Sequence, residues 1–424
     1  MAKNLLAAQS GGPTAAINAT LAGIIEQADA MEGIDRIYGA RYGIQGVLSE
    51  RFLDLGERLR TLGASEFGEE QEKRRWERML NRLSTTPAAA LGSCRYKLKD
   101  PAEDSSEFEA LFRIFRKYEI AYFVYIGGND SMDTVAKLSR FLAERGESGI
   151  TVVGAPKTID NDLFGIDHCP GFGSAAKYIV SSLSELEREL LVYDTDYVIL
   201  VEMMGRNAGW LTAAAALCEG RNSEIPYLLY LQERAFCLDR FLTDVRDRLR
   251  EHRQVIVAVS EGIRDENGIM LCDYDGVDGG LDAFGHRIAS GAARVLERAV
   301  QREIGCKVRS IELNLLQRCA GHILSATDVE ESRELGRNAV RLALRGRNGV
   351  MSSLRRLPGP DYAVEYFPVE ITEIANRERK VPDAWINAAG NNVTPECRAY
   401  LRPLIRGEQS CAFEDGIPKY VVLF

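Results

Sequence analysis

The densest chemistry in the sequence is the run Pro156-Lys157-Thr158-Ile159-Asp160-Asn161-Asp162. Two carboxylates, an amide, a hydroxyl and a lysine fall within seven residues, directly after the apolar run ITVVGA. A carboxylate beside a cation can take a proton from a hydroxyl, a role worth about 10²–10⁴ in rate. A lysine in the same place can neutralise charge on a transferring phosphoryl group. The plainer alternative is an Asx-turn loop with surface ion pairs. A second stretch, YIGGNDSMDT, puts Gly127, Gly128, Asn129 and Asp130 after the apolar run AYFVY. The glycines expose backbone. The Asn129 and Asp130 oxygens suit a hydrated Mg²⁺ held through phosphate, although Asp130 taken alone better suits a helix N-cap. Ser10-Gly11-Gly12 places flexible backbone before a helix, where N–H groups can meet an anion or form an empty tight turn. Met204-Gly205-Arg206 offers an arginine for bidentate phosphate contact or for a helix carboxylate. Ser260-Glu261-Gly262 offers a carboxylate for sugar hydroxyls or for a buried ion pair.

The elements that must carry these residues share one grammar: a short apolar strand, a small or polar turn, then a helical pattern. NLLAAQ leads to SGGPTAAINAT and a helix to about residue 28; AYFVYI leads to GGND and a helix to about residue 144. ITVVGA leads to PKTIDND, YVILVEM to MGRN and the Ala-rich AGWLTAAAALC, and QVIVAVS to EG. Residues 282–304 read as a helix, VRSIEL as a strand and 328–346 as another helix. Val- and Ile-rich strands alternating with helices predict an α/β fold with mainly parallel sheets buried on both faces. Ligands then sit at the carboxyl ends of strands, where the unusual polar residues fall. Residues 50–85 are highly charged with helical spacing and read as a solvated helical stretch.

The chain has 424 residues, 46% of them hydrophobic, enough for two or more domains. A net charge of −9 argues against nucleic acid or an anionic membrane as partner. Nine scattered cysteines without a Cys-x-x-Cys pair read as free thiols in a reducing compartment. The amino-terminal apolar stretch breaks too early for a signal peptide, and no run approaches the roughly 18 residues that span a bilayer. A cytoplasmic location is expected, in which the two glycosylation sequons carry no meaning. Gly171-Phe172-Gly173-Ser174-Ala175-Ala176 matches a dinucleotide pattern but follows Cys169-Pro170 rather than a strand. Asp273, Asp275 and Asp278 lack the glycine spacing of a helix-loop-helix calcium site and read as an acidic loop. His168, His252, His286 and His322 show no metal spacing and read as structural or exposed.

Taken together, the motifs resemble the phosphofructokinase family. SGG, LGSCR (Leu91 to Arg95), GGNDS, PKTIDND, MGR, SEG and LQR (Leu316 to Arg318) occur in the family's order, each weak alone and specific as a set. The resemblance implies two similar three-layer α/β domains with the active site between them. Residues 1–171 plus about 317–370 would bind the phosphoryl donor, and 172–316 plus about 371–424 the sugar phosphate. It further implies that Asp160 takes the proton of the sugar 1-hydroxyl, and that Thr158 and Asp162 bind the sugar phosphate and shape the metal site beside Ile159. Gly12 would cradle donor phosphate and Arg95 reach it. Arg206 would stabilise the transferring group, with Met204 and Gly205 lining the sugar site. Glu261 would hold sugar hydroxyls, and Arg309 and Arg318 would grip the 6-phosphate.

ATP-using members resemble GGDGS and carry glycine at the position of Lys157. Here Asp130 fills the room of the nucleotide α-phosphate with a like charge, and Lys157 adds a cation. Both follow the family's pyrophosphate-using pattern. The implied activity is reversible phosphoryl transfer from pyrophosphate to fructose 6-phosphate in glycolysis or gluconeogenesis, with Mg²⁺ and a homodimer. An ATP-dependent enzyme, a kinase of sedoheptulose 7-phosphate and a non-catalytic regulatory subunit are the alternatives. Asn129 replaces an aspartate metal ligand. Leu315 replaces a phosphate-binding histidine, and Tyr197 replaces an arginine given across the subunit interface, so the preferred sugar phosphate stays open.

Overall fold

Apolar runs built from Val, Ile, Leu and aromatic residues set the frame, because strands buried on both faces need side chains that pack on both. The computed structural model describes residues 3–275, 290–374 and 377–424. Its strands are β1 (Asn4–Gln9), β2 (Ile37–Ala40), β3 (Phe52–Asp54), β4 (Ile120–Gly127), β5 (Thr151–Pro156), β6 (Tyr197–Met203), β7 (Tyr227–Tyr230), β8 (Gln254–Ser260), β9 (Lys307–Glu312), β10 (Leu324–Ser325), β11 (Val350–Arg356), β12 (Val364–Glu370), β13 (Glu408–Gln409), β14 (Ala412–Glu414) and β15 (Ile417–Lys419).

Seven of them form one sheet in the order β12-β11-β5-β4-β1-β2-β3, parallel except at its two edges. Four form a wholly parallel sheet, β7-β8-β6-β9. Helices cover both faces of each. The helices Ile17–Asp29 and Ala326–Leu344 pack on one face of the larger sheet, with Ile24, Ala339 and Val340 against Leu5 and Val124. Their backbones meet at Gly23 and Gly336: a Cβ on Gly23 would lie 1.9 Å from the Arg333 carbonyl oxygen. The helices Ser106–Lys117 and Asn129–Glu144 cover the other face through Phe108, Leu111, Val135 and Leu138.

Register decides where the motifs go. Gln9 pairs with Ile126, and Ile126 with Ala155. Ser10-Gly11-Gly12, GGND and PKTIDND therefore leave the larger sheet at one carboxyl edge. Met203 pairs with Ser260, and Glu202 with Glu312, so MGR, SEG and LQR leave the smaller sheet together.

Most expected elements are present with small changes of boundary. The helices end at Asp29 and Glu144, and the late helix spans Ala326–Leu344. The Ala-rich segment is shorter than expected, an α-turn Trp210–Ala214 passing into 3-10 at Ala215–Leu217. The helix expected over 282–304 is seen as Ala292–Glu303; residues 276–289 lie outside the described residues, and with them Asp278, His286 and the end of the acidic loop. The charged 50–85 stretch is two helices, Leu55–Phe67 and Glu72–Ser84, preceded by β3. It is not merely solvated: Leu59, Met79, Leu80 and Leu83 bury one stripe in the core beside β1. Features unread in the sequence include β2, β3, β7, the helices Ser106–Lys117 and Leu238–His252, the β11–β12 hairpin that closes one edge of the larger sheet, β13, which pairs with β10, and the hairpin over Ala412–Glu414 and Ile417–Lys419.

Candidate active site

The two carboxyl edges face one cleft of about 640 Å³. From the larger sheet it receives Gly12, Arg95, Asn129, Asp130, Lys157, Thr158, Ile159, Asp160 and Asp162; from the smaller, Met204, Arg206, Glu261 and Arg318. Gly205 does not line it, but its N–H donates to Glu261 Oε1 at 3.3 Å and so orients that carboxyl. Gly205 has φ +120°, and a Cβ there would lie 2.5 Å from the Ala208 carbonyl oxygen. Arg309 is not brought in. It stands exposed beside Tyr197 within the edge strand β9, three residues before the carboxyl end where the cleft opens.

Lys157 is 2% exposed, and its Nζ donates to the Gly12 carbonyl at 2.5 Å. That bond joins two strand-end loops. A Cβ on Gly12 would lie 2.9 Å from an Arg318 guanidinium nitrogen, so only glycine leaves the arginine its place. Burial lowers the Lys157 amine to about 8 against the opposing pull of Asp160. Burial likewise raises Asp160, outweighing Arg206, Lys157 and Arg318, and raises Asp162, helped by the charges of Asp160 and Glu378. Glu261 is raised to about 8 by burial and then by Asp160 and Glu202. Thr158 Oγ1 accepts from the Asp160 N–H at 3.1 Å, and Asn161 takes φ +55°, which lets the carboxylates on either side of it both enter the cleft.

Asp130 does not cap its helix. Gly128 holds the N-cap position and Asp130 lies exposed in the first turn, facing the cleft. Its charge is well placed against the helix dipole and badly placed for another anion. Asn129 Oδ1 is buried without a hydrogen-bond partner. Among the described residues no cluster of three His, Cys, Asp or Glu forms a ready metal cage. One unpaired amide oxygen with the nearby Asp160 and Asp162 suits a Mg²⁺ that arrives on phosphate oxygens.

Lining residues given no role from the sequence include Tyr96, Lys97, Asn207 and Glu378. Asn207 Nδ2 donates to Glu378 Oε1 at 2.8 Å. Glu378 comes from a segment far along the chain with no strand-turn-helix pattern. Only its place in the charged run Arg377-Glu378-Arg379-Lys380 marked it, and such runs usually lie in solvent.

The remaining sequence signals have structural uses. The helix Phe172–Leu190, which begins inside the G-x-G-x-x-A match, has its first-turn N–H groups taken by Asp328: Gly171 and Ser174 donate to its carboxylate at 2.8 and 3.0 Å. His168 is buried between Asp167 and Glu331 at 2.8 and 2.6 Å; burial alone would lower it, but the two carboxylates raise it to about 9.

With this geometry in view, the relatives agree on one family. The family model described as phosphofructokinase matches residues 4–343, and the chain belongs to that family. Pyrophosphate--fructose 6-phosphate 1-phosphotransferase of Xanthomonas campestris pv. campestris is 39% identical over 99% of this chain and 96% of its own length. The protein of the same name from Methylococcus capsulatus is 38% identical over 100% and 96%. The crystal structure of a pyrophosphate-dependent phosphofructokinase from Nitrosospira multiformis matches with a TM-score of 0.85 at 36% identity, covering 100% of this chain and 96% of that one.

Proposed function

We propose that the chain transfers a phosphoryl group reversibly from pyrophosphate to the 1-hydroxyl of fructose 6-phosphate, giving fructose 1,6-bisphosphate and phosphate. One observation carries the choice of donor: Asp130 and Lys157 line the same cleft, one exposed at its rim and one buried at its floor. A nucleotide needs room and neutrality where Asp130 stands. Pyrophosphate needs neither there, and it meets the Lys157 cation at the transferred group.

In this reading Asp160 is the base. Its raised proton affinity makes it stronger than an ordinary carboxylate, and Lys157 and Arg206 keep the ionised form accessible. Arg206 and Lys157 then face charge that develops on the transferring group, while Gly12, Arg95 and Arg318 hold phosphate oxygens. Glu261, protonated at neutral pH, can donate to a sugar hydroxyl as well as accept. Asn129, Asp160 and Asp162 are the residues that would hold Mg²⁺. When bound, the ion would screen the phosphate charges. The donor would lie on the unit of residues 1–171 with about 317–370, and the sugar phosphate on 172–316 with about 371–424. Arg309 would reach a sugar phosphate only in a neighbouring subunit, which supports the homodimer reading. Among the described residues no helix is long and apolar enough to cross a membrane, and the proposed setting is the cytoplasm.

The test is formation of fructose 1,6-bisphosphate from fructose 6-phosphate and Mg²⁺ with pyrophosphate in one assay and ATP in a second. Turnover with pyrophosphate alone is expected. Turnover with ATP alone would overturn the roles of Asp130 and Lys157. No turnover in either would move the reading to a seven-carbon sugar phosphate or a regulatory subunit.

A further inference from the structure

The loop that carries Asp160 and Asp162 is held from below by a segment far away in sequence. Arg379 N–H donates to the Asp162 carbonyl at 2.7 Å. Its guanidinium donates to the Asn161 carbonyl at 3.2 Å, to the Tyr400 hydroxyl at 3.0 Å and to the Asp167 carbonyl. The guanidinium carbon lies 4.6 Å from the centre of the Trp210 ring, and Trp210 Nε1 donates back to the Arg379 carbonyl at 3.1 Å. The Tyr400 hydroxyl donates to the Asp167 carbonyl at 2.7 Å and accepts from Asn161 Nδ2 at 3.2 Å. Asn161 is wholly buried, and its Oδ1 accepts from the Cys169 N–H at 2.9 Å.

Every polar group of Asn161 beyond its N–H is therefore engaged, and Arg379 and Tyr400 supply two of the three partners. A left-handed residue between two carboxylates sets the direction of both, and Asn tolerates that conformation better than most residues. Rotation of the Asn161 peptide would swing Asp160 and Asp162 together. A planar guanidinium with five donors can hold several carbonyls in one plane; an ammonium cannot reproduce that fork.

We propose that Arg379 is a positioning residue for phosphoryl transfer: its guanidinium, with the Tyr400 hydroxyl, fixes the Asn161 peptide and so aims the Asp160 and Asp162 carboxylates into the cleft. This rests on the reading of Asp160 as the base. Arg379 does not line the cleft; it acts through Asn161.

The test compares wild type, Arg379→Lys and Tyr400→Phe as full chains, with pyrophosphate, Mg²⁺ and fructose 6-phosphate, by kcat, KM and Tm. Misaiming a reacting group by about 1 Å costs about 10²-fold, so Arg379→Lys should lose about that much kcat. Its KM for fructose 6-phosphate should stay within about threefold, since no sugar contact is removed. Tyr400→Phe keeps the ring against Trp210 and should lose about tenfold in kcat at near wild-type Tm, having lost one hydroxyl of the clamp. If Arg379→Lys does not fold, Tyr400→Phe decides alone. A folded Tyr400→Phe with wild-type kcat overturns the proposal. So does a loss in Arg379→Lys that resides in KM with kcat intact. A wild type silent with pyrophosphate would instead strike the activity reading itself, and an active wild type with unaffected variants strikes only this one.

Discussion

The two rims of the cleft are built differently. The rim on the larger sheet is short: Gly11, Gly12 and Gly128 bring backbone to the edge, and Lys157 is buried beneath them with its Nζ on the Gly12 carbonyl. The rim on the smaller sheet is long: Arg206, Glu261 and Arg318 reach in from loops, joined by Asn207 and Glu378. At the glycines of the first rim discrimination is by whether an atom is present, because backbone cannot swing aside; Arg95, Lys97 and Asp130 add side chains beside them. A rim of long side chains discriminates by hydrogen-bond pattern and can adjust. The first suits choice between phosphoryl donors, the second a grip on a sugar phosphate. Five acids and five cations line the whole cleft: Asp130, Asp160, Asp162, Glu261 and Glu378 against Arg95, Lys97, Lys157, Arg206 and Arg318. Burial raises Asp162 and Glu261, which lessens the negative charge that incoming phosphate-bearing anions meet.

The sharpest break of that comparison lies where the rims meet. Asp160→Asn should lower kcat by about 10²–10⁴, the range of general-base assistance, with fructose 6-phosphate binding and Tm near wild type. Near-full turnover would remove Asp160 from the role. Lys157→Met should follow with a loss of about 10²–10³ in kcat, typical of removing one preorganised donor at a developing charge. Lys157 also fixes a pH limb. Its amine is lowered to about 8, so it is cationic below that pH and neutral above it. The kcat/KM of wild type should fall as pH rises through about 8, and Lys157→Arg, which keeps its charge, should lose the part of that fall that Lys157 supplies, Glu261 supplying the rest. An unchanged alkaline limb in the arginine variant would assign it elsewhere.

Smaller in size but closest to the difference between the rims is the donor ratio. Asp130→Gly, alone and with Lys157→Gly, should raise ATP turnover relative to pyrophosphate by about tenfold or more, since a like charge is taken from the phosphate path. If the double variant gains no ATP activity, the short rim does not select by occupancy.

What could be read from the sequence follows the same division. Gly12, Asp130, Lys157 and Asp160 stand at the ends of strands whose apolar runs and turn residues are local signals, and parallel register places them together. Arg206 and Glu261 were legible for the same reason on the second sheet. Glu378 and Arg379 were not. They belong to no strand-turn-helix unit, and they act through contacts to Asn207 and Asn161, about 170 and 218 residues earlier in the chain. Arg309 was legible as a cation near a strand but not as one outside the cleft, because that depends on how far β9 runs on past it, to Glu312. β3 and β12 escaped because edge strands carry only half a hydrophobic pattern, and β11, an inner strand, because two serines and two arginines interrupt its run VMSSLRR.

The smallest expected effect tests the burial of the long rim. Glu261 is raised to about 8 by burial, then by Asp160 and Glu202, while an unfolded glutamate titrates in the ordinary carboxylate range of about 4.3. A group raised in this way gives stability that is fully present below the unfolded value and is lost as pH rises through the folded one. Glutamine cannot ionise in either state. The Tm difference between Glu261→Gln and wild type should therefore move in favour of the variant between pH 5 and pH 8, by a few degrees, and stay level above that. Thermal melts at pH 5, 7 and 9 read this directly. A difference that does not change with pH would mean that Glu261 is as well solvated as the exposed Asp130, and that the two rims differ in reach but not in dielectric.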